Sequence, residues 1–247
     1  FCYLFMPFII LAGPMYRWRS WVSDINKPVF AINREQFLTA MEQIFTGIIQ
    51  KFLLAMLVDN LVIQSWSQRP FDWTVGVVMS VAYSAYLYFD FAGYSLFAVA
   101  ASYLMGIETP MNFNQPFKAH NIKDFWNRWH MTLSFWFRDF IFMRLTFFIV
   151  KHHLLKKRVR ISQVTYLANF LIMGFWHGVT WYYIVYGLFH ASAIITNDYW
   201  LAFKKKHRRL PHNRLTEGIA IFITFNVVCF SFLIFSGFLN TLWFQAH

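Results

Sequence analysis

The chain has 247 residues, 58% hydrophobic, 22% aromatic and 13% charged, with a formal net charge of +11. Soluble domains carry about 25% charged residues, so this composition excludes a soluble enzyme, a disordered chain and a small disulfide scaffold, and indicates an integral membrane protein. The two cysteines, Cys2 and Cys229, supply neither a disulfide framework nor a cysteine metal site, and neither has the basic neighbours that activate a thiolate.

Residues 1–16 are uncharged up to Gly13-Pro14 and lack a basic n-region. They read as the tail of a membrane helix in a chain that begins inside a longer protein, rather than as a signal peptide. A second apolar run covers about 43–65 and holds Lys51 and Asp59; a third covers 73–107, where Asp90 is the only charge. At helical spacing Tyr83, Tyr86, Asp90 and Tyr94 share one face, which is expected to line the interior or a watery channel rather than lipid. Asp90 then either lines a tunnel or orients a base, or it fixes helix packing.

The stretch 107–150 mixes Pro110, Pro116, asparagines and charges with aromatics, and is expected to be a re-entrant or interfacial segment. From Ile122 a helix is predicted, with Asn121 as N-cap and Asp124 in its first turn. Continued as one helix, it places Asn127, His130, Ser134 and Arg138 on a polar seam, and Trp126, Trp129, Leu133, Trp136 and Phe140 on the opposite face.

Basic residues gather in two blocks, Lys151–Arg160 and Lys204–Arg214, which together hold 11 of the 22 lysines and arginines. Blocks beside apolar runs mark cytoplasmic loops of a membrane protein, not a nucleic-acid surface. The run 161–197 between them contains no Asp, Glu, Lys or Arg. As one helix it would extend about 55 Å against a bilayer core of about 30 Å. Two passes, about 164–175 and 179–199, interrupted at Gly174-Phe175-Trp176-His177-Gly178, keep both basic blocks on the cytoplasmic side. His177, framed by glycines and Trp176 in this run, is either a functional group, as titratable side chains at membrane depth are by default, or a buried histidine hydrogen-bonded to a carbonyl that holds helices together. His190 reads as structural. The final run, 218–247, is again free of charge.

Several strings resemble signatures of the membrane-bound O-acyltransferases. They are Phe89-Asp90-Phe91-Ala92-Gly93-Tyr94-Ser95, Asn112-Phe113-x-x-Pro116-Phe117, Phe125-Trp126-Asn127-Arg128-Trp129-His130 with Ser134-Phe135-Trp136-Phe137-Arg138-Asp139, and Gly174-Phe175-Trp176-His177-Gly178; Ala12-Gly13-Pro14 with Arg17 extends the match. The resemblance implies an all-α, polytopic fold, a ring of transmembrane helices around a central tunnel. The chain 1–247 would form a single membrane domain, the C-terminal part of the protein, without the family's N-terminal helices. It implies catalytic roles for His177 and His130, with Asp90, Tyr94, Asn127, Ser134, Arg138 and Trp176 as tunnel or supporting residues and no metal. The run Phe140-Ile141-Phe142-Met143-Arg144-Leu145, where alginate O-acetyltransferases carry Pro-Leu-Gly-Gly, favours the D-alanyl-transferring branch of Gram-positive bacteria.

That branch implies a multi-pass protein of the cell membrane with no permanently bound cofactor. The acyl donor arm would be the 4'-phosphopantetheine of an acidic, cytoplasmic D-alanyl carrier protein, and the acceptor lipoteichoic acid. Membrane lipids are the surroundings, and nucleic acid is not a partner. The competing expectations are a polysaccharide O-acetyltransferase of the same fold and a proton-coupled transporter using Asp90 and the histidines as a relay.

Overall fold

A computed structural model describes residues 13–26, 34–207 and 213–240. The expectation for the apolar segment 1–16 therefore falls largely outside the described residues, as do Arg208 and Arg209 of the second basic block. Every regular element among the described residues is helical.

A short helix α1 spans Trp18–Ile25. Helix α2, Arg34–Ser67, is 34 residues long, and two of its turns, Ile49–Leu54 and Asp59–Ile63, are widened to π-helix. Helix α3, Trp73–Leu104, begins where the Asp72 carboxylate accepts from the Val75 N–H at 2.7 Å. After the irregular stretch 105–121 come α4, Ile122–Trp126, and then α5. Helix α5 is Met131–Phe137, continued by a π-helical turn Arg138–Phe142 and by Met143–Lys151. Helices α6, Arg158–His177, and α7, Trp181–Lys206, form an antiparallel pair. Helix α8, Arg214–Phe235, opens with a capping box between Asn213 and Thr216.

Neighbouring helices follow the order α2, α3, α8, α7, α6, α5, with α4 packed against α7 and α8. The main core gathers Phe125, Trp126, Trp129, Leu133, Phe137, Phe170, Tyr186 and Phe232 around α4. Among the described residues three helices, α2, α3 and α8, are long and apolar enough to cross a membrane. On α2 the large side chains Phe45, Ile49, Phe52, Leu53, Met56 and Leu61 are all exposed. A helix apolar on its outer surface as well is what lipid permits and water does not. The chain is an all-α membrane protein.

Two crossings rely on glycine. A Cβ on Gly93 would lie 2.8 Å from the Lys51 backbone nitrogen and 2.9 Å from the Gly47 carbonyl oxygen, so α2 and α3 touch backbone to backbone. One on Gly187 would lie 2.3 Å from the Phe170 carbonyl oxygen, and one on Gly174 would lie 2.5 Å from that of Tyr183. These contacts clamp α6 onto α7. Two expectations are corrected here. The helix pair runs 158–177 and 181–206 rather than 164–175 and 179–199, because Gly174 stays within α6 as a crossing point and the turn is confined to residues 178–180. A Cβ on Gly178 would meet the Tyr183 ring at 2.8 Å, so this turn needs glycine too.

The second correction concerns the helix expected to continue from Ile122. Asn121 caps it as anticipated, its side chain accepting from the N–H groups of Lys123 and Asp124. The helix stops at Trp126, however, and restarts at Met131, with His130 in the left-handed region at φ 40°. Such a backbone is costly for a residue with a Cβ and persists only where its surroundings impose it. Here backbone bonds from the preceding stretch do so: Met131 N–H to Asn112 O at 2.8 Å, and Asn114 N–H to Arg128 O at 2.9 Å.

Candidate functional site

The break at 127–130 takes apart the single polar seam. Asn127, Ser134 and Arg138 line a cavity of about 250 Å³ together with Lys123, Tyr166 and Asn169, whereas His130 is absent from its wall. The Trp-rich face divides in the same way: Trp126, Trp129 and Leu133 are buried, while Trp136 and Phe140 are exposed. Within the cavity, Lys123 is ion-paired to Asp198 of α7, and Arg138 Nε donates to Asp139 at 2.8 Å. The Asn169 side-chain oxygen is buried and has no hydrogen-bond partner among the described residues. Arg17 also pairs with Asp139, tying the segment before α1 to α5, and the Arg138 guanidinium beside it holds the Asp139 carboxyl below its usual range.

His130 starts α5 and is buried. Its ring stands edge-on to Phe91 of α3, with centroids 4.7 Å apart, and its Nδ1 lies 3.3 Å from Asn112 Oδ1. His177 ends α6. Its ring is surrounded by Phe235 at 5.0 Å, Trp176 at 4.9 Å, Tyr183 at 6.0 Å and Tyr186 at 6.1 Å, and neither of its nitrogens is hydrogen-bonded among the described residues. His177 lies within electrostatic range of His130 and of His190. Histidines 47 positions apart in the chain are thus brought together where α3, α5, α6, α7 and α8 meet.

His190 differs from both. It is fully buried; the Trp126 indole N–H donates to its Nδ1 at 3.3 Å, and its Nε2 lies 3.0 Å from Ser231 Oγ. The Ser231 hydroxyl hydrogen is directed to Val228 O at 2.7 Å. An indole N–H only donates, so Nδ1 accepts and Nε2 carries the hydrogen that Ser231 Oγ receives. Both nitrogens are committed, and His190 acts as a structural link between α4, α7 and α8.

Among the described residues Asp90 makes no hydrogen bond to a histidine. It forms an ion pair with Lys51, one turn from the Gly47–Gly93 crossing, and the Lys51 ammonium lies 6.0 Å from the centre of the Tyr94 ring. Lys51 occupies the first π-helical turn of α2. Sequence reasoning noted this lysine without finding its partner, because the two are 39 positions apart. Tyr83, on the same stripe, instead packs against the main core. Trp176 is 55% exposed and touches Phe137 and the His177 ring. Among the described residues no three His, Cys, Asp or Glu side chains gather as metal ligands. Cys229 is buried and free.

Residues 1–239 match the membrane-bound O-acyltransferase family. Curated relatives include a teichoic acid D-alanyltransferase of Lacticaseibacillus rhamnosus, 51% identical over 98% of this chain and 62% of the relative. Proteins of the same description in Streptococcus thermophilus (strain ATCC BAA-250 / LMG 18311) and Bacillus subtilis (strain 168) are 46% and 44% identical, over 98% and 95% of this chain and 61% and 60% of the relatives. The chain spans about three fifths of the length of these relatives.

Proposed function

The chain belongs to the membrane-bound O-acyltransferase family, and from that premise we propose that it carries the reacting centre of a D-alanyl transferase of a Gram-positive cell membrane. The donor is a D-alanyl thioester on the 4'-phosphopantetheine arm of an acidic carrier protein, and the acceptor is a hydroxyl of lipoteichoic acid. The single observation that carries this reading is the contrast among three neighbouring histidines. His190 has both nitrogens engaged, whereas among the described residues His177 has both ring nitrogens unengaged, and His130 one.

In the proposed step the acceptor oxygen attacks the thioester carbonyl carbon while an unengaged His177 nitrogen takes the hydroxyl proton. Collapse of the tetrahedral intermediate expels the pantetheine sulfur, which receives that proton and leaves as the thiol. An imidazole is suited to both transfers because its ordinary pKa lies near neutrality. Aromatic walls around His177 keep bulk water from competing for the acyl group. His130 is assigned the second essential position.

The cavity beside α5 and α6 supports the donor assignment. Its amides, Asn127 and Asn169, match the amide groups of a pantetheine arm, and Lys123 and Arg138 suit its phosphate. The basic block around Lys156–Arg160 suits an acidic carrier, since opposite potentials steer encounter.

The test is transfer of radiolabelled D-alanine from charged carrier protein to membranes containing the full-length protein. His177→Ala is expected to abolish transfer while the purified variant stays monodisperse. Wild-type turnover by that variant would remove His177 from the chemistry. Transfer of acetyl but not D-alanyl groups would point to the polysaccharide acetyltransferase reading.

A further inference from the structure

We infer that Asn112 is the positioning residue that holds His130 in the neutral tautomer with its hydrogen on Nδ1, leaving the Nε2 lone pair free to accept a hydrogen bond beside the reacting groups. This rests on the proposed role of His130 in acyl transfer and adds the group that sets its ring.

Asn112 is 1% exposed and lies in the stretch before α4. It acts on His130 twice. Its backbone oxygen accepts from the Met131 N–H at 2.8 Å, which pins the left-handed backbone of His130. Its side-chain Oδ1 lies 3.3 Å from His130 Nδ1 and 2.6 Å from Thr132 Oγ. Nδ2 of the same amide is buried without a partner among the described residues.

The direction of these bonds follows from what each group is able to donate. The Met15 backbone N–H donates to Thr132 Oγ at 2.9 Å. The Thr132 hydroxyl hydrogen then needs an acceptor, and Asn112 Oδ1 is the group at hydrogen-bond distance. A carbonyl oxygen only accepts, so the His130 nitrogen that approaches the same oxygen must carry a hydrogen. Rotating the amide by 180° would let Nδ2 donate to His130 Nδ1 and Thr132 Oγ, but it would take this acceptor from the Thr132 hydrogen and bury the carbonyl oxygen unpartnered, so the orientation is decided by the Thr132 hydroxyl, whose oxygen already accepts from Met15. His130 Nε2 has no hydrogen-bond partner among the described residues.

The arrangement is the reverse of His190, where an indole donor sets the hydrogen on Nε2. It also uses an uncharged orienting group. An amide fixes the tautomer and stabilises the imidazolium less than a carboxylate does, so a proton taken up by Nε2 is more readily passed on. Among the described residues the titratable group that acts on His130 from the surrounding helices is His177; Phe91 and Thr132 are neutral.

The experiment is nitrogen NMR on the full-length, histidine-labelled protein in nanodiscs, with His130 assigned by substitution, alongside transfer kinetics. The wild-type protein is expected to show the Nδ1–H form of His130. Asn112→Leu and the near-isosteric Thr132→Val should each populate the Nε2–H form, lowering kcat by about 10²-fold with KM for the charged carrier nearly unchanged. Asn112→Asp should retain the Nδ1–H form and move the acid limb of the kcat–pH profile upward, because a carboxylate there stabilises the charged ring. A wild-type Nε2–H form, or an unaltered tautomer in both Asn112→Leu and Thr132→Val, overturns the inference. Full transfer by His130→Ala would instead overturn the role of His130 on which it stands.

Discussion

Gly187 offers a test of how closely the site depends on helix contact. A methyl group at this position lands 2.3 Å from the Phe170 carbonyl oxygen, where ordinary contact begins at 3.4 Å. Backbone cannot swing aside as a side chain does, so Gly187→Ala must part α6 and α7 by about 1 Å, an estimate that follows from close packing. Overpacking of this kind costs roughly 1–3 kcal/mol. Alanine returns about 1 kcal/mol through its helix propensity, leaving a net loss of about 0–2 kcal/mol. The effect on activity is expected to be larger. His177 ends α6 and is walled by Tyr183 and Tyr186 of α7, so the separation displaces the reacting groups directly. A displacement of about 1 Å is enough for roughly a hundredfold loss of rate. Gly218→Ala is the matched control, since a Cβ there meets nothing within 4 Å; it should be neutral or raise Tm and leave transfer intact. Thermal unfolding in detergent and transfer of D-alanine would be measured on both. If Gly187→Ala is as stable and as active as Gly218→Ala, the contact between α6 and α7 does not position the site.

The Lys51–Asp90 pair should behave as a unit: Asp90→Asn leaves a lysine unpaired at the α2–α3 crossing and lowers Tm, whereas the exchanged pair Lys51→Asp with Asp90→Lys recovers part of the loss. Additive single and double changes in unfolding would show that the two side chains do not couple. His190→Phe keeps the ring but abandons Trp126 and Ser231, and is expected to cost about 2–4 kcal/mol for two lost bonds to buried groups; native stability would contradict the structural role. Ser134→Trp should fill the cavity beside α5 and stop transfer while carrier binding in a pull-down survives, and normal transfer would place the donor arm elsewhere. Cysteines introduced at Lys157 and Lys205 should both resist an impermeant thiol reagent in intact cells, because α6 and α7 return the two basic blocks to one end of the pair; labelling of either from outside would contradict that placement.

Much of the chain was legible because its signals are local. The long apolar runs predict α2, α3 and α8, since a bilayer demands about twenty apolar residues in succession. Asn121 announced the start of α4, and the charge-free run ending in two basic blocks announced an antiparallel pair. His177 stood out because a titratable ring among apolar residues needs a reason. The remaining features are non-local. Helical spacing carried a single seam through His130, and nothing between Ile122 and Arg138 signals the break. The break is imposed by Asn112 and Asn114, whose backbone bonds reach across to Met131 and Arg128. Asp90 showed a polar stripe, but its partner Lys51 is set by where Gly47 and Gly93 let two helices touch. The sequence singles out His177 by its glycine-framed setting and reads His190 as structural, but it shows the partners of neither. Only the fold brings Trp126 and Ser231 to one ring and withholds them from the other, because a hydrogen-bond partner is assigned by helix packing and not by neighbours along the chain.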